Sequence, residues 1–133
     1  MSRLQGAPPE GQERWTPRAL LAARFITFLE TGVAAPGLFA PDLFTDFTMP
    51  LGRLQADSAE GSIALRAAGH PMVGRVPRSR LDVTGTGFVL EVEETWRAAG
   101  DDWYCREPFR ADVTDGMISQ LSAARGATSP SGR

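Results

Sequence analysis

The sequence contains no lysine, and all fourteen of its basic residues are arginine. A chain without lysine cannot form a Schiff base with a carbonyl substrate, nor can it use the lysine of a phosphate-binding loop to hold a nucleotide. Cysteine occurs only at Cys105, which excludes an intrachain disulfide and a cysteine-rich zinc site. Histidine occurs only at His70, so any imidazole acid/base chemistry in this chain depends on that residue.

Long apolar runs are also absent. No run approaches the ~20 residues that a transmembrane helix needs, and the first residues lack the apolar core of a signal peptide. The net charge of −2 gives no excess of positive charge for binding nucleic acid or an anionic membrane. Arg75, Arg78 and Arg80 form a short basic run without aromatic residues between them, which is typical of a solvated strand face. We therefore expect a cytoplasmic protein that binds neither nucleic acid nor membranes.

The length of 133 residues is sufficient for one domain with a core of its own. Residues 1–14 are rich in glycine, proline, glutamine and charge, and this composition predicts a flexible N-terminal arm. Residues 123–133 are small and polar and include proline, which predicts a disordered C-terminal tail. A single folded domain is therefore expected over residues 15–122.

Two helices are predicted in the first half of the chain. The first begins at Thr16 and Pro17, an N-cap followed by the residue favoured at the first helical position. Its apolar residues at helical spacing are Leu21, Phe25, Phe28 and Leu29. The second helix begins in residues 57–60, which have capping-box spacing, and it ends near residue 68.

Strands are predicted through most of the remaining sequence. Period-2 alternation of apolar and aromatic residues predicts three consecutive antiparallel strands at 88–98, 103–113 and 117–122, and Asp115-Gly116 is the strongest turn signal between them. Shorter strands are predicted at 43–49 and 75–83, whereas 51–56 is predicted as a loop and Leu38 with Phe39 as a helical turn. This order predicts the α+β class, with helices on one face of a bent antiparallel sheet.

Four segments of the sequence carry a resemblance to a known superfamily. They are PDLFTDFTMP at 41–50, the helix end Gly69-His70-Pro71, GFVLEVEETW at 87–96 and WYCREPFRADVTDGMISQLS at 103–122. These segments resemble the NTF2-like superfamily and, within it, the SnoaL-like branch of polyketide cyclases and ketosteroid isomerase-like proteins. The resemblance implies an α+β cone, a bent antiparallel sheet covered on one face by the N-terminal helices, with a pocket at its open end. It also implies acid/base work on a small molecule by one or two polar side chains, and a homodimer.

Strand parity selects two carboxylates as candidate site residues. Glu94 shares a strand face with Leu90 and Trp96, and Glu107 shares one with Phe109. A carboxylate among apolar neighbours loses hydration, which makes it usable as a base or an acid near neutral pH. The alternative for Glu94 is a position near the open rim, where it is solvated or paired with an arginine.

Two further residues join Glu94 as candidate catalytic groups. In the cone that the resemblance implies, Asp46 borders the mouth of the pocket, and His70 follows the second helix. A solvated aspartate and a turn histidine are the alternatives. The candidate substrate-binding residues are Trp96, Phe25, Phe47, Phe88, Leu90 and Glu107, although core packing alone would explain most of the aromatic ones. Arg110 and Asp112 match the Arg-x-Asp pairing that epoxide-hydrolysing relatives use to activate water, and a solvated strand face is the alternative.

Two functions follow from these residues and this resemblance. The first is a cofactor-independent isomerase, cyclase or dehydratase that acts on a hydrophobic, polyketide-like small molecule. The second is a non-catalytic NTF2-like module that binds a small molecule or only dimerises. No metal-ligand spacing occurs in the sequence, so neither a metal nor a cofactor is expected. An apolar cavity of a few hundred Å³ would favour the enzyme, and an interior filled by phenylalanine and tryptophan side chains would favour the module.

The dimer contact is expected on the strand face that carries Glu91, Glu93, Arg97, Arg106 and Arg110.

Overall fold

The computed structural model of the protein describes residues 16–49, 52–69, 74–124 and 129–130. The predicted arm at residues 1–14, Trp15 and His70 lie outside these residues. In chain order the elements are α1 (Pro17–Thr31), β1 (Phe39–Met49), β2 (Gly52–Ala56), α2 (Ala59–Gly69), β3 (Gly74–Val83), β4 (Gly87–Ala98), β5 (Asp101–Thr114), β6 (Met117–Ala124) and β7 (Ser129–Pro130).

Helix α1 has the two ends that the sequence predicts. The Thr16 side chain accepts a hydrogen bond from the Ala19 backbone N–H at 3.1 Å. At the other end Gly32 has a left-handed φ of 77°, and its N–H donates to the carbonyl of Phe28 at 2.7 Å. The predicted apolar residues Leu21, Phe25, Phe28 and Leu29 are all buried in the core.

Strands β4, β5 and β6 form the predicted antiparallel meander. The β4–β5 turn passes through Ala99 and Gly100, the β5–β6 turn through Asp115 and Gly116, and all four residues have positive φ. Positive φ at both central residues is the geometry of a type I′ turn, whose twist matches that of the strands on either side. Local turn chemistry therefore fixes the register of the two strands that carry Glu94 and Glu107.

The six longer strands form one sheet in the order β2-β1-β6-β5-β4-β3. The predicted α+β class is confirmed, and the sheet differs from the prediction in one pairing, because β1 and β6 run parallel. No turn connects these two strands, so no local signal in the sequence predicts that they are neighbours. Helix α1 packs on β3 and β4 and helix α2 packs on β1 and β2, which places the core between the helices and one face of the sheet.

Two short segments differ from their predictions. Residues 52–56 are strand β2 rather than a loop. The strand pairs antiparallel with β1, with Ala56 opposite Thr45 and Gly52 opposite Met49. Four of the five β2 residues are exposed, so the strand lacks the apolar alternation that reveals a half-buried strand.

Phe39 is the first residue of β1 rather than part of a helical turn. Pro41 is accommodated because the register between β1 and β6 is irregular from Phe39 to Phe44.

The last long strand runs beyond the predicted end of the domain at residue 122. Ala123 and Ala124 belong to β6 and pair with Phe47 and Thr48 of β1. Ala123 is buried and belongs to the hydrophobic core. Further on, the two residues of β7 pair with Trp103 and Tyr104 of β5. None of the described helices is long and apolar enough to cross a membrane.

Candidate functional site

Among the described residues, three charged side chains are buried on the core side of the sheet. Arg66 has 9% of its surface exposed, Glu94 has 3% and Glu107 has 4%. Glu94 continues the inner face of β4 after Leu90 and Val92, both of which are fully buried. Glu107 lies on the inner face of β5, where it is the cross-strand neighbour of Val92. The strand parity that selected the two carboxylates therefore describes their position correctly.

Arg66 is in the last turn of helix α2 and contacts both carboxylates. Its Nη2 lies 2.7 Å from Oε2 of Glu94 and 3.3 Å from Oε1. Its Nη1 lies 3.8 Å from Oε1 of Glu107. Nη2 also lies within 3.4 Å of the carbonyl oxygen of Leu29, at the end of α1. We call Arg66, Glu94 and Glu107 the Arg66 cluster; it links both helices to strands β4 and β5.

Arg66 is the site residue that sequence reasoning missed. The available signal was Ser62 and Arg66 at i and i+4, which places two polar residues on one face of α2. Both are buried, and the Thr45 hydroxyl of β1 donates to the Ser62 hydroxyl at 2.6 Å. A polar pair on one helix face normally indicates the solvent side, so only the orientation of α2 against β1 identifies these residues as internal.

The interior next to the Arg66 cluster is almost filled by aromatic rings. Phe25 and Phe109 meet edge to face with ring centroids 4.9 Å apart, and Phe28 and Phe39 do so at 5.1 Å. The remaining cavity has a volume of about 10 Å³, which is space for about one water molecule. Its lining residues are Phe25, Phe28, Leu29, Phe39, Leu43, Thr45, Phe47, Ser62, Arg66, Phe109 and Leu121.

The structure does not bring all of the predicted site residues together. Glu94 and Glu107 come together at Arg66, and Phe25 and Phe47 line the adjoining cavity. Phe88 and Leu90 are fully buried in the core but do not line the cavity. Trp96 is half-buried at the end of β4, where it lines a surface groove.

Asp46 is not brought together with Glu94. It lies on the opposite face of β1 from Thr45 and Phe47, and its carboxylate forms two hydrogen bonds with Arg53, at 2.8 and 2.6 Å. These hydrogen bonds hold the pKa of Asp46 below its usual range. Arg110 is exposed and Asp112 accepts a hydrogen bond from the Thr86 hydroxyl at 2.8 Å, so the Arg-x-Asp pair also lies outside the interior.

One group of the described residues has the composition of a metal site. The ligand atoms of Glu94, Cys105 and Glu107 lie within 4.8 Å of one another, and all three residues are buried. The Arg66 guanidinium already lies against both carboxylates and would repel a cation between them. A metal ion could occupy this position only if Arg66 moved away.

A larger open groove lies where α1 ends beside β3 and β4. Its volume is about 760 Å³, within the usual range for small-molecule sites. Its lining residues are Glu30, Thr31, Gly74, Arg75, Thr95, Trp96, Arg97 and Asp102. We call it the Trp96 groove; six of these eight lining residues are polar or charged, and Trp96 contributes an indole ring.

Comparison with solved structures identifies the fold as NTF2-like. The chain superposes on an NTF2-like protein from Anabaena variabilis with a TM-score of 0.68 and 15% identity, covering 88% of this chain and 96% of that one. It matches a predicted polyketide cyclase from Xanthomonas campestris pv. campestris with a TM-score of 0.67 and 14% identity, over 83% of this chain and 90% of that one. An LEH-like epoxide hydrolase from M. tuberculosis matches with a TM-score of 0.66 and 12% identity, over 83% of both chains. No family model and no curated protein matches the sequence.

Proposed function

We propose that the protein is a cofactor-independent acid/base enzyme acting on a small hydrophobic molecule, with the Arg66 cluster as its reactive centre. The observation that carries this proposal is the burial of three ionisable side chains beside an aromatic cavity. Removing an ion from water costs several kcal/mol, and apolar residues of similar volume would satisfy the fold at least as well. Buried ionisable groups of this kind are concentrated at functional sites.

The geometry suggests a role for each member of the cluster. Glu94 is the proton acceptor, because it lies among apolar residues and Arg66 holds its carboxylate in one orientation. The guanidinium of Arg66 also provides N–H donors that can stabilise negative charge developing on a substrate oxygen. Glu94, once protonated, can return the proton at another atom of the substrate, and Glu107 contacts the same guanidinium and holds it in place. Proton removal and return at two atoms is the chemistry shared by isomerisation, cyclisation and dehydration.

The names of the similar structures agree with this chemistry. One is called a predicted polyketide cyclase, and another an LEH-like epoxide hydrolase. A protein with a ketosteroid isomerase-like fold from Catenulispora acidiphila was solved in complex with trimethylamine. For this chain we propose a hydrophobic, polyketide-like substrate on the same basis. Asp46 and His70 have no assigned step in this mechanism.

The second candidate function is a non-catalytic binding or dimerisation module. The observation that favours it is the cavity of about 10 Å³, since small-molecule sites usually measure roughly 300–1,000 Å³. Catalysis in the interior therefore requires Phe25, Phe47 or a neighbouring ring to change rotamer when the substrate enters. A module that only dimerises requires no such movement.

Replacing Glu94 by glutamine tests the catalytic proposal. Turnover should be measured on a panel of small cyclic ketones, β-keto esters and hydroxy ketones, with proton exchange followed by NMR. Glu94→Gln should lower the rate by about 10²- to 10⁴-fold, as is common when a general base is removed. The matched control is Glu91→Gln, which changes an exposed carboxylate on the opposite face of the same strand and should leave the rate unchanged.

Two results would contradict the enzyme. One is equal turnover by Glu94→Gln and the unaltered protein on a substrate that the protein converts. The other is a co-purifying small molecule, detected by native mass spectrometry, that the protein binds tightly and returns unchanged after long incubation. The second result would establish the binding module instead.

A further inference from the structure

We infer that the buried hydroxyl pair of Thr45 and Ser62 binds an oxygen atom of the ligand, and that the ligand is a neutral carbonyl compound. This inference deepens the proposed function by naming a substrate class, and it rests on that function only for the chemistry that follows binding. Both hydroxyl groups line the internal cavity beside the Arg66 cluster. Eight of the eleven lining residues are apolar, and Arg66 is the remaining polar one.

The hydroxyl pair has one hydrogen more than its own hydrogen bond uses. The Thr45 hydroxyl donates to the Ser62 hydroxyl, with 2.6 Å between the two oxygen atoms. Thr45 is fully buried and Ser62 is 5% exposed. The hydroxyl hydrogen of Ser62 has no acceptor among the residues that the structure describes. A buried donor without an acceptor is unfavourable, so an oxygen atom that accepts this hydrogen is stabilised in the cavity.

The charges around the cavity favour a neutral ligand. Arg66 is the charged residue of the lining, and its guanidinium already lies 2.7 Å from Glu94 and 3.8 Å from Glu107. One positive and two negative charges leave the cluster with an excess of negative charge. An anionic ligand would lose its hydration here and be repelled. A carbonyl group offers an acceptor oxygen without a charge, which matches the remaining donor.

The empty space fits one oxygen atom rather than a whole ligand. Its volume is about 10 Å³, so the body of the ligand has to take the place of a phenylalanine ring. Phe39 is the half-buried ring of the lining. The other lining phenylalanines are buried, and they are Phe25, Phe28, Phe47 and Phe109. Phe39 is therefore the ring that a ligand displaces with the smallest loss of buried apolar surface.

The oxygen site lies beside the proposed proton acceptor. Ser62 and Arg66 are one turn apart on the same face of α2, and Arg66 contacts Glu94 at 2.7 Å. When a base removes a proton from the carbon next to a carbonyl group, negative charge develops on the carbonyl oxygen. A hydrogen bond from the Ser62 hydroxyl stabilises that charge. The hydroxyl pair thus holds the substrate and assists the same proton transfer.

Binding of two matched probes to Phe39→Ala tests this inference. The variant lacks the displaced ring, so binding does not depend on its movement. Cyclohexanone carries the carbonyl oxygen, and methylenecyclohexane has the same ring with a CH₂ group in its place. Adding Thr45→Val and Ser62→Ala together should weaken cyclohexanone binding about 2- to 10-fold, the usual effect of one hydrogen bond, and should not weaken methylenecyclohexane binding. The double change leaves no hydroxyl of the pair without a partner.

Three measurements in the Phe39→Ala background isolate the Ser62 hydrogen. Thr45→Val alone keeps this hydrogen and should keep cyclohexanone binding. Ser122→Ala, which removes a half-buried hydroxyl outside the cavity lining, should also keep it. The carbonyl ¹³C resonance of bound, labelled cyclohexanone should lie further downfield than in the variant without both hydroxyls, because a hydrogen bond withdraws electrons from the carbonyl carbon.

Several results would overturn the oxygen site. They are a failure of Phe39→Ala to bind cyclohexanone, equal weakening of both probes when the hydroxyl pair is removed, loss of cyclohexanone binding in Thr45→Val alone, and a carbonyl resonance that does not depend on the hydroxyl pair. Each would show that the Ser62 hydrogen does not bind the carbonyl oxygen.

The unaltered protein and Glu94→Gln distinguish this inference from the proposed function. If cyclohexanone binds to Phe39→Ala but not to the unaltered protein, the oxygen site stands and the proposed function fails, because the ligand does not displace Phe39. If Glu94→Gln loses turnover while removal of the hydroxyl pair leaves cyclohexanone binding intact, the proposed function stands and the oxygen site fails.

Discussion

Arg66 is the residue whose charge compensates two buried carboxylates at once. Its guanidinium lies 2.7 Å from Glu94 and 3.8 Å from Glu107. In a region of low dielectric constant such contacts are strong, but each ion has also lost its hydration, so the net contribution of the cluster to stability is small. The loss of one member alone has a much larger effect, because it leaves the other charges uncompensated.

Arg66→Met should therefore be strongly destabilising. Methionine has similar length and no charge, and we expect the free energy of unfolding at neutral pH to fall by about 3–5 kcal/mol, the usual result of breaking a buried ion pair. Urea denaturation is the measurement. Arg80→Met, at an exposed arginine, should change the stability by less than ~0.5 kcal/mol. A change of less than ~1 kcal/mol in Arg66→Met would show that the cluster is hydrated rather than buried.

Asp46 gives a prediction for acid pH. Its hydrogen bonds with Arg53 hold the pKa of Asp46 below the usual aspartate range. The folded protein therefore binds this proton less readily than the unfolded chain, and the stabilisation is fully present above the pKa of the unfolded chain. It is lost as the pH falls through the lowered folded pKa. In a carboxyl NMR titration, Arg53→Gln should move the Asp46 pKa upward, and an unchanged pKa would contradict the assigned cause.

Helix α1 and the β4–β6 meander are the elements that the sequence predicts best, because their signals are local. An N-cap threonine, a C-terminal glycine and apolar residues at helical spacing identify α1. Strand parity then orients Glu94 and Glu107 inward. By contrast, β2 carries mostly exposed residues, and the β1–β6 pairing joins segments far apart in the chain. The same limit applies to Arg66, whose burial depends on how α2 packs rather than on its neighbours in sequence.

Phe25→Ala tests the packing of α1 on the sheet. Phe25 is fully buried and its ring meets Phe109 of β5 edge to face. Truncation of a fully buried phenylalanine commonly costs about 3–5 kcal/mol of the free energy of unfolding, measured by denaturant melts. Leu20→Ala is the control on the same helix, since Leu20 is 38% exposed and should cost less than ~1 kcal/mol. If the two substitutions lowered the free energy of unfolding equally, the packing of α1 on the sheet described above would be wrong.

The whole molecule is proposed to be a homodimer that pairs through the outer face of the sheet. Glu91, Arg97, Arg106 and Arg110 are exposed on that face, and Glu93 is half-buried there. Arg106 lies 3.7 Å from Glu93 in the same chain. A patch that carries both signs of charge can be complementary to its own copy across a two-fold axis.

Sedimentation at tens of micromolar should therefore give the mass of a dimer. Arg106→Glu places like charges beside Glu91 and Glu93 and should weaken the dimer at least about tenfold. Arg24→Glu, on the exposed side of α1, makes the same charge change away from the sheet and should leave the dimer intact. If the unaltered protein sedimented as a monomer, the proposal that the outer face of the sheet forms a dimer contact would be wrong.

The parallel pairing of β1 with β6 has a consequence for how the protein is made. Thr45 of β1 pairs with Leu121 of β6, which is synthesised much later. The β1–β2 hairpin therefore leaves the ribosome long before β6 exists. Closing so long a loop slows folding, and until it closes the free edge of β1 can pair with another nascent chain. Newly synthesised chains should therefore depend on ribosome-associated chaperones most strongly in the interval between synthesis of β1 and synthesis of β6.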